Sequence, residues 1–224
     1  MKFWPASLLG LLLLTIQADT QAEDPPPSAK AKAFELFQQG QLKDAIPELQ
    51  KSLQKNSSDV DVRLHLAFAY DRLGSADDAI AEYRRVIELE PNSYFAHNNL
   101  GVLYDKKGSY DEAIAAFENA ARIDPKNPGA SKNLETAKRN KAAIQERQAQ
   151  IQKAENAAAI NPKDPQASYN VARLHAHYGN REMALQWLDR ARRQGYKELA
   201  SVKNDPAFKN LRDDRDFELI LVGK

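Results

Sequence analysis

The residue types that most often carry chemistry are sparse in this sequence. His175 and His177 are two residues apart, so on a helix they point to different faces. His65 and His97 occupy non-equivalent positions of the repeat described below. The chain has no cysteine, which excludes disulfides, thiolate metal sites, cysteine nucleophiles and a lipidated cysteine anchor. The sequence therefore predicts no metal site and no cofactor.

Paired acidic residues are the other candidates for catalysis. Asp77-Asp78, Asp111-Glu112 and Asp213-Asp214 each stand at the start of a predicted helix, where negative charge interacts favourably with the helix dipole. No serine lies in a nucleophile-elbow pattern, and no glycine loop of the phosphate- or dinucleotide-binding kind is present. The basic pairs Arg84-Arg85 and Lys106-Lys107 indicate solvated helix surface. We therefore expect a protein that is not an enzyme.

Charge and composition limit the partners and the fold class. Among 224 residues, Lys and Arg number 32 and Asp and Glu number 31, giving a net charge of +1. This balance does not indicate nucleic acid or an acidic membrane as the main partner. The few glycines and the lack of long apolar-polar alternation predict an all-α fold.

Residues at the same positions recur every 34 residues, which indicates stacked repeats. Within residues 94–127, apolar residues at three- and four-residue spacing predict one helix before Gly108 and a second between Gly108 and Pro125. Such a helical hairpin cannot bury its apolar face alone, so neighbours must stack on it. The matching triplets are Ala33, Ala67 and Gly101; Gly40, Gly74 and Gly108; and Ala45, Ala79 and Ala113.

The spacing of these residues resembles the tetratricopeptide repeat. Three units are expected, at 26–59, 60–93 and 94–127. In the first unit Ser57 stands where the closing proline is expected, and Pro47 predicts a second helix that begins near Lys43, with the proline in its first turn. The residues that match repeat positions are Ala33, Gly40, Ala45, Ala67, Tyr70, Gly74, Ala79, Pro91, Gly101, Tyr104, Gly108, Ala113, Phe117, Pro125, Ala172, Gly179 and Ala184.

After residue 127 the period fails. Residues 128–161 contain strong helix formers and predict one long helix or a degenerate repeat. Its apolar residues Ala137, Ile144, Ile151 and Ala158 are spaced by seven. This spacing is compatible with packing against the neighbouring hairpins or with self-association through a coiled coil, which would give a homo-oligomer.

The last part of the chain resumes the repeat and then changes. Residues 162–196 resemble another hairpin, in which Trp187 is expected to be partly buried. Residues 197–224 resemble the tail that follows many bacterial tetratricopeptide arrays, and we expect two short helices there that cap the last hairpin.

The N-terminal residues have the features of a targeting segment. Residues 1–22 combine Lys2, an apolar run and small residues before Glu23, which is typical of a secretory signal peptide cleaved after Ala22 or Ala18. An uncleaved anchor is the alternative, although the apolar run is shorter than the roughly 20 residues that span a bilayer. Residues 23–28 predict a proline-rich spacer. We expect a secreted or periplasmic protein with no stable membrane span after cleavage.

The resemblance implies that the first helix of each hairpin lines the concave side of a superhelix, where a protein or peptide partner binds. An alternative is that Phe68 and Phe95 only pack against each other. The basic and asparagine residues that clamp chaperone C-termini are incomplete here, which argues against that specialisation. The concave positions are Leu64, Phe68, Asp71, Arg72, Phe95, Asn98, Asn99, Val102, Asp105, Lys106, Tyr169, Asn170, Arg173 and His177.

These observations lead to one leading function and one alternative. The leading function is a non-catalytic adaptor or scaffold that holds a partner polypeptide in the concave groove. The alternative is a structural or assembly factor of the cell envelope that acts through self-association of the long helix.

Overall fold

The computed structural model describes residues 28–223, and these form a chain of helices without β-strands. The predicted signal peptide and nearly all of the proline-rich spacer lie outside the described residues. Within residues 28–223, no helix is both long and apolar enough to cross a membrane. The helices are α1 (Ala29–Gln38), α2 (Leu42–Lys55), α3 (Val60–Arg72), α4 (Ala76–Leu89), α5 (Tyr94–Lys106), α6 (Tyr110–Ile123), α7 (Pro128–Ile160), α8 (Pro165–His177), α9 (Arg181–Arg193), α10 (Leu199–Val202), a 3₁₀ helix (Pro206–Leu211) and α11 (Arg215–Leu221).

Helices α1 to α6 form three hairpins, as the 34-residue period predicts. Gly40, Gly74 and Gly108 end the first helix of each hairpin in the left-handed conformation, with φ between +74° and +84°. This conformation lets the chain reverse, and it disfavours residues that carry a Cβ. The predicted all-α solenoid is therefore confirmed.

Small residues allow the two helices of a hairpin to approach closely. A Cβ built on Gly101 would lie 2.6 Å from the ring of Phe117 in the facing helix. Ala33 and Ala67 occupy the same position of the first two hairpins, and both are fully buried.

The second helix of the first hairpin begins at Leu42, next to the predicted start near Lys43. Pro47 is nevertheless its sixth residue and lies beyond the first turn. The proline has no amide hydrogen to donate to the carbonyl of Lys43, so the helix lacks one internal hydrogen bond. The expectation that Pro47 lies in the first turn is therefore wrong.

Helix α7 is one continuous helix in the place where the period would put a further hairpin. Its first half contacts α5 in the way that the first helix of one hairpin contacts the first helix of the hairpin before it. Asn133 Nδ2 of α7 donates a hydrogen bond to Asn98 Oδ1 of α5 at 3.1 Å, across 35 residues. Lys106 of α5 donates to Asp71 of α3 across the same sequence separation. Ala142 stands 34 residues after Gly108, at the position where the earlier hairpins turn. Alanine favours continuation of the helix at this position, and α7 runs on for 33 residues.

The second half of α7 packs on α8, so the long helix joins the three N-terminal hairpins to the C-terminal hairpin. His175 Nε2 lies 3.4 Å from Glu155 Oε1, 20 residues away, the same sequence separation that joins Arg84 to Tyr104 between α4 and α5. Ala137 and Ala158 of the predicted seven-residue pattern are buried inside the chain.

A separate hydrophobic core holds the C-terminal part together. Phe208 from the 3₁₀ helix and Phe217 from α11 are fully buried against α8 and α9, with ring centroids 5.5 Å apart. Trp187 packs partly buried against the same core, as predicted. The tail is therefore a cap on the last hairpin.

Candidate functional site

The first helices of the three N-terminal hairpins share one surface, which we call the first-helix face. A pocket of about 210 Å³ opens on it, which we call the aromatic pocket. It contains four of the predicted partner-binding residues, from α3 and α5, together with three residues that were not predicted. The residues that line it are Phe37, Leu64, His65, Phe68, Tyr83, Phe95 and Asn99.

Two phenylalanines of this pocket are exposed to solvent. Phe68 is 40% exposed and Phe95 is 67% exposed. The ring of Phe68 lies near Phe37, with centroids 5.6 Å apart, and the ring of Phe95 meets Tyr94 at the same distance. Among the aromatic contacts of residues 28–223, Phe68 and Phe95 do not pair with each other, so the alternative of mutual packing is not supported. Exposed apolar groups arranged around a pocket are typical of binding sites.

His65 makes three contacts within the pocket wall. Its ring stacks on Phe34 at 4.4 Å and meets Phe37 edge-on at 4.7 Å. Its Nδ1 lies 2.7 Å from the carbonyl oxygen of Asp61. Because a carbonyl oxygen only accepts hydrogen bonds, Nδ1 carries the hydrogen. The histidine therefore acts as a fixed aromatic surface.

Tyr83 from α4 forms the deep wall of the aromatic pocket. It is 1% exposed, and its hydroxyl has no hydrogen-bond partner among the described residues. Burial raises the pKa of Tyr83 to about 12, and the Asp71 carboxylate adds to this rise. The Asn99 amide opposes the rise, but the two groups do not meet hydrogen-bond geometry. An unpaired buried hydroxyl is uncommon in folded proteins.

Charged residues line one side of the first-helix face. Lys106 Nζ lies 3.0 Å from Asp71 Oδ1 and pairs α5 with α3. The guanidinium of Arg72 lies 5.9 Å from the ring centroid of Phe68. These groups place a polar margin beside the aromatic pocket.

Helix α7 covers several predicted positions of the third hairpin. Asp105 Oδ1 accepts a hydrogen bond from Asn140 at 3.2 Å, and Asn98 accepts one from Asn133. Val102 packs against the small core shared with α7. These three residues hold the long helix in place, so the part of the first-helix face that stays open is the part around the aromatic pocket.

Of the four predicted partner-binding residues in the C-terminal part, one is buried and three line a cavity. Tyr169 is 9% exposed, stacks on Tyr196 at 4.4 Å, and donates a hydrogen bond to Asp205 at 2.6 Å. Tyr169 is therefore buried and does not present an exposed ring on the predicted concave face. Asn170, Arg173 and His177 line a cavity of about 930 Å³ between α7, α8 and the 3₁₀ helix.

The repeat period could have identified two of the pocket residues that sequence reasoning missed. His65 stands 34 residues before Asn99, and Phe37 stands 34 residues before Asp71, both of them predicted positions. Applying the same positions to the first hairpin would have included Phe37. Tyr83 gave no such signal, because its position belongs to the packing core in the other hairpins.

Groups that hold metal ions have a recognisable arrangement of three or more His, Cys, Asp or Glu residues. Residues 28–223 contain no such group.

Comparison with known proteins identifies the repeats. Residues 31–94 and 69–128, which span the N-terminal hairpins, match the family model of the tetratricopeptide repeat. No curated protein gives a significant sequence match to the chain.

Solved structures with a similar fold include two kinds of protein. The second repeat domain of human RPAP3, solved with the HSP70 peptide SGPTIEEVD, is 22% identical, with 50% of this chain and 92% of that chain covered and a TM-score of 0.47. MamA from Desulfovibrio magneticus is 16% identical, with 74% of this chain and 92% of that chain covered and a TM-score of 0.49.

Proposed function

We propose that this protein is a non-catalytic adaptor that binds a segment of a partner polypeptide on the first-helix face. Tetratricopeptide repeats provide extended surfaces for such partners. The observation that carries the proposal is the aromatic pocket, where Phe68 and Phe95 remain exposed beside an apolar cavity. Aromatic side chains in pockets often dominate the binding energy of protein interfaces.

The test is affinity capture of partners with the full chain and with pocket variants. Phe68→Ala and Phe95→Ala remove exposed rings, so we expect both to reduce capture of the same partner by at least about tenfold, the effect of losing roughly 1.4 kcal/mol. Ile160→Ala is the matched control, because Ile160 is 78% exposed and lies at the end of α7.

Thermal unfolding of each variant separates lost binding from lost folding. If both phenylalanine variants fold and retain the partner, the first-helix face is not the binding surface. If the Ile160 variant loses the partner as well, the surface lies elsewhere or extends to the end of α7.

Self-association of α7 in an envelope assembly factor is the second candidate. It is less well supported, because Ala137 and Ala158 are already buried within the chain. Ile144 and Ile151 remain half-buried. Light scattering over a wide concentration range tests it: a monomer throughout removes this candidate, whereas a concentration-dependent dimer that Ile144→Asp abolishes would favour it.

We also propose that the protein is exported. The proposal is based on the apolar run and small residues of positions 1–22, outside the described residues. N-terminal sequencing of the protein from its native source tests it. A first residue of Glu23 or Asp19 corresponds to cleavage after Ala22 or Ala18, and an intact Met1 contradicts cleavage.

A further inference from the structure

The hydroxyl of Tyr83 is not required by the fold. Phe117 occupies the same position of the next hairpin and is 2% exposed, and Leu49 occupies it in the previous hairpin and is fully buried. Both pack well without a polar atom. Tyr83 therefore carries an additional oxygen in a position where burial without a partner is unfavourable.

The residue that carries this oxygen lines the aromatic pocket. Tyr83 is the pocket-lining residue that comes from a second helix, and the other six come from first helices. The pocket walls are the rings of Phe37, His65, Phe68 and Phe95, with Leu64 between them. A ligand group that fits here has an apolar, flat body and a polar end that reaches the hydroxyl.

The size of the pocket limits the ligand to one side chain. Its volume of about 210 Å³ is below the roughly 300–1,000 Å³ of clefts that hold drug-sized ligands. Phenylalanine and leucine have the apolar body but no polar end. Tyrosine has both, since its ring is apolar and its hydroxyl donates and accepts hydrogen bonds.

We propose that the aromatic pocket binds a tyrosine side chain of the partner polypeptide, whose hydroxyl pairs with the hydroxyl of Tyr83. This inference rests on the proposed adaptor function. The Tyr83 hydroxyl is buried in the free protein, so the proposed contact requires a side chain of the pocket to move. Phe95 is two thirds exposed, and we assign this movement to it.

The test is selection from a random linear peptide library against the full chain, followed by affinity measurements on the enriched peptides. We expect tyrosine to be enriched at one position. Replacing that tyrosine by phenylalanine should weaken binding about five- to tenfold, the effect of one lost hydrogen bond. Tyr83→Phe should cause a similar loss for the tyrosine peptide and no loss for the phenylalanine peptide.

The four affinities form a double-mutant cycle, which isolates the contact between the two hydroxyls. Enriched peptides that require Phe68 but lack tyrosine, or whose affinity is unchanged by Tyr83→Phe, overturn this inference and leave the adaptor function standing. A library that yields no peptide dependent on Phe68 overturns both. Thermal unfolding confirms that the Tyr83 variant folds, as Phe117 in the equivalent position leads us to expect.

Discussion

Gly101 shows how one missing side chain sets the distance between two helices. A Cβ at this position would lie 2.6 to 2.9 Å from three ring atoms of Phe117, which is itself buried. Alanine would gain about 1 kcal/mol in helix propensity, but overpacking a core costs about 1–3 kcal/mol. We therefore expect Gly101→Ala to lower the free energy of unfolding by up to about 2 kcal/mol, measured by urea denaturation.

A second substitution tests whether the clash with Phe117 is the cause. The first hairpin combines Ala33 with Leu49 in the same two positions. The double variant Gly101→Ala, Phe117→Leu recreates that pair and should be less destabilised than the sum of the two single variants. Additive losses would show that the alanine acts on another contact.

The unpaired hydroxyl of Tyr83 predicts an effect on stability that is separate from binding. Removing a buried polar group that has no partner removes its desolvation cost, which is about 1–3 kcal/mol. We expect Tyr83→Phe to raise the free energy of unfolding of the free protein by up to that amount. Phe117→Tyr, the converse change in the next hairpin, should lower it, and a decrease in both variants would contradict the argument.

At the scale of elements, Asp205 joins the C-terminal cap to the last hairpin. Its carboxylate accepts hydrogen bonds from Tyr169 at 2.6 Å, Arg173 at 2.8 Å and the backbone amide of Ala207 at 2.8 Å. Burial acts to raise the pKa of Asp205, but the three donors together hold it below its ordinary value. The ionised form of Asp205 is therefore stabilised in the folded protein.

This pKa shift predicts how acid affects stability. Because the folded-state pKa lies below the unfolded value of about 3.9, the contribution of Asp205 is fully present above that pH. It is lost as the pH falls through the lower, folded-state pKa. We expect Asp205→Asn to cost about 1–3 kcal/mol near neutral pH, and its difference from the unaltered protein to shrink below about pH 4.

An exposed ion pair of the same cap provides the control for Asp205. Lys203 and Glu218 are paired with 52% and 42% of their side chains exposed, so Lys203→Ala should change stability by less than about 1 kcal/mol. Urea denaturation at several pH values measures both variants. A constant difference for Asp205→Asn from pH 7 to pH 3 would contradict the assigned shift.

The elements were predictable from sequence to the extent that the period repeats. Gly74 and Gly108 indicated the turns, and the strong helix formers of residues 128–161 indicated one long helix, with a degenerate repeat left open. The burial of Tyr169 could not be predicted, because it depends on how the non-repeating tail folds back on α8. Four lining residues of the aromatic pocket were predicted, because exposed positions follow the period. The unpaired hydroxyl of Tyr83 was not predicted, because it depends on three-dimensional packing.

At the scale of the whole molecule, α7 packs against both the N-terminal hairpins and the C-terminal hairpin. Its first half packs on α6, where Ala137 joins the core of Ala113 and Phe117. Its second half packs on α8, where Tyr178 donates a hydrogen bond to Gln150 at 2.7 Å. In stacked repeats, stability spreads through contacts between neighbours, so a continuous helix couples both groups.

Breaking α7 between its two halves tests this coupling. Ala143 is exposed, and Ala143→Pro would remove its hydrogen bond to the carbonyl of Arg139 and bend or break the helix, at a cost of about 3 kcal/mol or more. Because the cores on either side remain intact, we expect the two groups to unfold in separate transitions, which calorimetry and hydrogen exchange would resolve. Ala143→Ser keeps the helix and should retain the unfolding profile of the unaltered protein. A single transition in the proline variant would mean that contacts other than the continuity of α7 couple the two groups.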